Sequence, residues 1–138
     1  LLALIALETG ALRGPDEIVP GDPRSTRPEW RRAMALREAL STSSEPYFAT
    51  LAERIGRERL AAWVAKAGYG NGRIGERPAR VWHDGVLTVT ARQQLAFVDR
   101  LRRGDLPFRP AHIAAVKTAL REDDGDARIH AKTGTHLD

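Results

Sequence analysis

Four short clusters in this 138-residue chain carry side chains whose types and spacing could do chemistry. Lys132-Thr133-Gly134 offers an ammonium, a hydroxyl and a position with no side chain, a set able to hold an anionic group close to the backbone. The same residues also fit a strand that runs into an ordinary glycine turn. Ser43-Ser44-Glu45-Pro46-Tyr47-Phe48 puts hydroxyls at a corner between two predicted helices. There a serine fits the N-cap of the second helix. Tyr69-Gly70-Asn71 opens a glycine-rich stretch, and Trp82-His83-Asp84-Gly85-Val86-Leu87 follows it. For these two, a tyrosine packed on a turn and a core tryptophan are the plainer alternatives.

The elements that must position these residues are readable from periodicity. Leu1 to Leu7 is the end of an apolar helix that is expected to start upstream and to turn at Gly10 or Gly14. Residues 14 to 28 hold Pro15, Pro20, Pro23 and Pro28 among Gly, Asp and Ser, which predicts a surface connection leading into a helix from Pro28 to Leu40. Ser43 or Ser44 caps the next helix, whose buried stripe is Phe48, Leu51, Ala52 and Ile55. After a corner at Gly56, Leu60, Trp63, Val64 and Ala67 repeat the spacing up to Gly68. Residues 68 to 80 predict a surface loop of the kind that often carries function. Thr90 caps a helix reaching Arg103, and Pro110 opens another with Ile113, Val116 and Leu120 inward. Residues 122 to 126 predict an acidic turn, and Ala127 to Thr133 alternates as a half-buried strand does.

Composition narrows the function classes. With 42% hydrophobic and 29% charged residues the chain fits one globular domain or less. No cysteine is present, which excludes disulfides, thiolate metal sites and a cysteine nucleophile. The net charge is +4, but nineteen of the 22 basic residues are arginines scattered among acids from Arg13 to Arg128. That is not the gathered footprint of a nucleic-acid binder, and no nucleic-acid partner is expected. The longest apolar run, Leu1 to Leu7, falls far short of the roughly 18 residues a spanning helix needs. The opening is not a methionine and lacks the marks of a secretory signal, so the chain is expected to begin inside a longer one.

Taken together, these clusters resemble serine penicillin-recognising enzymes, and more narrowly class D β-lactamases (oxacillinases). Ser43, Tyr69-Gly70-Asn71, Trp82 with Gly85 and Leu87, and Lys132-Thr133-Gly134 follow the family's order; Leu7-Glu8-Thr9-Gly10 matches its helix end. Gln93, Phe97, Leu101, Gly104 and Leu106-Pro107 extend the likeness over nearly the whole chain. The resemblance implies an α+β fold: a helix-dominated part of the β-lactamase/transpeptidase-like domain, packed on an antiparallel sheet. It implies hydrolysis of the β-lactam amide through a serine acyl-enzyme, with no metal or organic cofactor. The alternative is a penicillin-binding transpeptidase or β-lactam sensor domain that is acylated without turnover. Partners would be β-lactams or peptidoglycan stem-peptide-like substrates, and the location periplasmic or extracytoplasmic.

Roles carry over motif by motif. Ser43 would relay a proton to the lactam nitrogen. Lys132 would hold the electrostatics of the site and, with Thr133 and Gly134, the substrate carboxylate; the backbone near Thr135 would donate to the oxyanion. Trp82 would pack over the catalytic lysine, and Tyr69 and Asn71 would shape the pocket floor. The family's S-x-x-K does not occur in this sequence. By spacing it is expected just before Leu1, as further strands are expected after Asp138, so this chain by itself is expected to be inactive. Glu45 stands where the family has a valine that keeps the lysine pocket apolar. A carboxylate there would repel a lysine carbamate, which puts carbamate-assisted deacylation in question.

Overall fold

A computed structural model of the chain describes residues 1–124 and 127–132. Helix α1 (Leu2–Thr9) is the centre of the molecule, with Ala3, Leu4, Ile5, Ala6 and Leu7 all buried. A helix apolar on every side has no face to give to water and must be surrounded. Helices α3 (Glu45–Ile55), α4 (Arg57–Ala67) and α6 (Pro110–Ala119) pack around it. The predicted corner at Gly56 and stop at Gly68 are both present. Within α3, Leu51, Ala52 and Ile55 are buried as the spacing predicts, but the first place of the stripe is taken by Tyr47, four residues before Leu51, and Phe48 is only partly covered. Trp63 is also half-exposed, its ring stacked on Phe108 at 5.2 Å with the Lys66 ammonium 4.2 Å from its centre.

The helix expected over 28–40 does not form as one piece. Pro28–Trp30 makes a single 3₁₀ turn, the chain bends at Arg31 and Arg32 and pairs as an isolated bridge at Met34, and α2 occupies only Leu36–Ser41. The reason is tertiary. Val19 and Met34 exchange both backbone bonds, at 3.0 and 3.1 Å, and the Asp22 N–H donates to the Trp30 carbonyl at 3.0 Å. Groups that a helix would have used are therefore committed to the proline-rich segment folded back beside them. Gly21 permits that approach, since a Cβ there would collide with the Trp30 and Arg32 carbonyls.

Helix α5 (Ala91–Arg103) begins at Thr90 as predicted, in a capping box: Gln93 N–H donates to the Thr90 hydroxyl, and the Gln93 side chain accepts from the Thr90 N–H. Beyond α6 the backbone forms a hairpin of β1 (Arg121–Asp124) and β2 (Ala127–His130), antiparallel with Arg121 opposite His130. Part of the expected acidic turn is thus a strand. Backbone pairing outweighs the poor strand propensity of Glu and Asp, as it commonly does in sheets. The predicted strand ends at His130, and residues 133 onward lie outside the described ones.

Candidate active site

The end of α2 builds the position of Ser43. The Ser43 N–H donates to the Leu40 carbonyl at 3.2 Å and the Ser44 N–H to the Ala39 carbonyl at 2.9 Å, the paired bonds of a Schellman helix end. In that motif the residue after the cap turns left-handed, and Ser43 does so with φ 51°. Among the described residues it is the one non-glycine with positive φ. Ser44, not Ser43, is the N-cap of α3: it is fully buried and accepts the Tyr47 N–H. This division of labour frees the Ser43 hydroxyl from capping.

Lys132 reaches that hydroxyl from the far end of the sequence. Its Nζ donates to Ser43 Oγ at 2.6 Å. The Ala131 N–H binds the Leu120 carbonyl at 3.1 Å, which fixes the segment after β2 to the end of α6. Arg37 of α2 then ties both sides together, donating to the Thr118 carbonyl at 3.1 Å and the Arg121 carbonyl at 2.9 Å. Lys132 is exposed as a residue, yet desolvation of its ammonium in the cleft holds its pKa below the ordinary lysine value.

Ser43 and Lys132 share a cleft of about 840 Å³ whose walls include Trp30, Glu45, Phe48, Tyr69 and Trp82. Tyr69 packs edge-on against Phe97, its hydroxyl donating to Gln94 at 2.8 Å, and burial pushes its pKa up. Trp82 is 38% exposed at the rim. The Glu45 carboxylate, about half exposed, lies 3.3 Å from the His83 imidazole, so it is paired rather than buried alone.

Asn71 stands outside this lining. Its Nδ2 donates to the Val86 carbonyl at 2.8 Å, and its Oδ1 accepts from the Arg73 and Thr88 N–H groups. Gly70 makes the brace possible, because its φ is +57° and a Cβ would strike the Thr88 carbonyl. The structure therefore brings Ser43, Lys132, Tyr69 and Trp82 to one cleft and turns Asn71 to the loop behind it. Thr133, Gly134 and Thr135 lie outside the described residues. Trp30 is among the cleft residues that sequence reasoning misses, with Arg27, Glu29 and Thr42: it lies in a stretch whose pattern predicts helix, and a lone buried tryptophan gives no local signal of a cleft.

The profile of the penicillin binding protein transpeptidase domain matches residues 1–136. The chain belongs to this family. Within the transpeptidase-domain family it is similar to β-lactamase OXA-5 of Pseudomonas aeruginosa, 33% identical over 135 residues, which are 96% of this chain and 50% of that protein. It also resembles the crystal structure of the class D β-lactamase YbXI from Nostoc, with TM-score 0.90 and 32% identity over 96% of this chain and 57% of that one. The regulatory protein BlaR1 of Bacillus licheniformis is 30% identical over 137 residues, 98% of this chain and 23% of that protein. The chain spans about half the length of the β-lactamases it matches. Among the described residues no helix is long and apolar enough to cross a membrane.

Proposed function

We propose that the protein containing this chain is a class D serine β-lactamase of the extracytoplasmic space, acting on penicillins. The observation that carries the reading is the 2.6 Å bond between the Lys132 ammonium and the Ser43 hydroxyl in the wall of a cleft large enough for a bicyclic lactam. In this reading the chain is part of an α+β domain whose S-x-x-K lies before Leu1 and whose remaining strands follow Asp138. The serine of that motif attacks the lactam carbonyl carbon and passes its own proton to the lysine of the same motif. As the C–N bond breaks, Ser43 gives its proton to the lactam nitrogen and takes one from Lys132, whose lowered pKa suits the exchange. Water then hydrolyses the ester. Thr133 and Gly134 would receive the substrate carboxylate, and the backbone near Thr135 the oxyanion. Tyr69 and Trp82 would form walls against the substrate, and Asn71 would hold the Tyr69 loop in shape.

The conformation of Ser43 supports a chemical role. A left-handed non-glycine residue costs about 1–2 kcal/mol, a steric cost that glycine does not carry. Strain of this kind collects at functional sites, which supports a part for the Ser43 hydroxyl in the reaction.

The test is mass spectrometry of the protein as its gene encodes it, incubated with a penicillin. An acyl adduct that forms at least about 100-fold more slowly in Ser43→Ala and Lys132→Ala is the expected result. Equal acylation rates in all three would reject the relay. Glu45 favours the second reading, a sensor or transpeptidase that is acylated without turnover. That reading is distinguished by a persistent adduct which begins to turn over in Glu45→Val with added bicarbonate.

A further inference from the structure

Beyond the two Schellman bonds, the left-handed turn at Ser43 is held from another part of the chain. The carbonyl of Thr42, the last residue before the left-handed turn, accepts the Trp30 indole N–H at 2.9 Å. This carbonyl is among those left without an intrahelical partner at the end of α2. The other groups of the turn are already engaged: Thr42 N–H and Oγ1 both donate to the Glu38 carbonyl, at 2.9 and 2.8 Å. Trp30 is itself fixed. It is 9% exposed, sits in the 3₁₀ turn Pro28–Trp30, and carries the Arg27 guanidinium over its ring at 4.6 Å.

We propose that Trp30 is a positioning residue for the Ser43 relay: its indole N–H, through the Thr42 carbonyl, holds the left-handed turn that puts Ser43 Oγ within reach of Lys132. The proposal rests on the reading of Ser43 given above. The backbone bonds of this segment to Val19 and Asp22 keep it out of one continuous helix, and the 3₁₀ turn that results aims the indole at the end of α2. Trp30 acts on the peptide unit before Ser43 and needs no contact with the reacting atoms.

Removing the N–H alone tests this. In the protein as its gene encodes it, Trp30→Phe is compared with wild type by amide hydrogen exchange and by the rate of acylation with a penicillin. The expected result is exchange at least tenfold faster at Ser43 and Ser44, beyond any change at Leu51 and Val64 in the core, together with acylation slowed at least tenfold. Because glycine takes the left-handed conformation unaided, adding Ser43→Gly to Trp30→Phe should return protection to the residue 44 amide. A merely structural tryptophan would instead loosen the whole chain evenly, with no rescue by glycine, and that pattern overturns the proposal. Unchanged protection at 43 and 44 overturns it as well. If Trp30→Phe does not fold, substitution of Trp30 by 3-benzothienylalanine, which keeps the ring shape and replaces only the N–H, gives the same two readouts. Acylation unaffected by Ser43→Ala would reject the relay itself, while the exchange data would still decide whether Trp30 holds the turn.

Discussion

At the residue scale, Ser43 and Tyr47 illustrate opposite uses of a hydroxyl. The Ser43 hydroxyl is bonded to Lys132, and its backbone is held in a conformation that glycine would adopt freely. Replacing Ser43 by Gly is therefore expected to raise stability by about 1 kcal/mol, read as a higher midpoint in urea, while slowing acylation as Ser43→Ala does. Tyr47 carries its hydroxyl into the core, where it has no hydrogen-bond partner among the described residues. Burial first, and then the negative charge of Glu17, push its pKa up to about 12. An unpaired buried hydroxyl costs free energy that its removal recovers, so Tyr47→Phe should leave stability unchanged or increase it, measured by the same urea midpoint. Sequence alone marked Ser43 as a candidate, because its place in a motif is a local property. It did not distinguish Ser43 from Ser44 as the cap, since that depends on which of two adjacent residues turns left-handed.

At the element scale, the join between α1 and α6 rests on Glu8. Helix α6 has no side-chain cap of its own, and its N-cap residue Arg109 instead donates its N–H to Glu8 at 3.0 Å and its Nε–H at 3.1 Å. The His112 Nδ1 lies 2.7 Å from the same carboxylate. Burial pushes the Glu8 pKa up, but the Arg109 N–H, His112 and the Arg109 guanidinium together outweigh it and hold the value below the ordinary one. A carboxylate whose pKa is depressed by folding adds stability above the ordinary glutamate range, and that stability is lost as pH falls through the folded value. Glu8→Gln should thus cost about 1–3 kcal/mol near neutral pH and little at strongly acid pH, checked by denaturation midpoints across that range. The helices themselves were legible, because 3.6-residue spacing and caps such as Thr90 act within one turn. The 28–35 segment was not, since its hydrogen bonds go to Val19 and Asp22, which no local pattern encodes.

At the scale of the whole molecule, the helices surround α1, and the hairpin of β1 and β2 stands at the end of the described chain. Each strand of that pair has one side without a strand neighbour among the described residues. The 138-residue chain produced by itself should self-associate through these edges, as unpaired strands tend to. Light scattering that shows a monodisperse monomer with a single cooperative melt would contradict this. What the sequence determined alone was the helices other than the stretch 28–35, the buried stripes of α3 and α4 apart from the partly covered Phe48 and Trp63, and the order of the motifs. Each of these follows from residues within a few positions of one another. What only the tertiary structure decided was which motif residues share a cleft. Ser43 and Lys132 meet across 89 positions of sequence, and Trp30 reaches Thr42 only because its own segment is pulled out of a helix by the chain folded against it. Such closures are fixed by the balance of many long-range contacts against chain entropy, and that balance is a property of the whole fold.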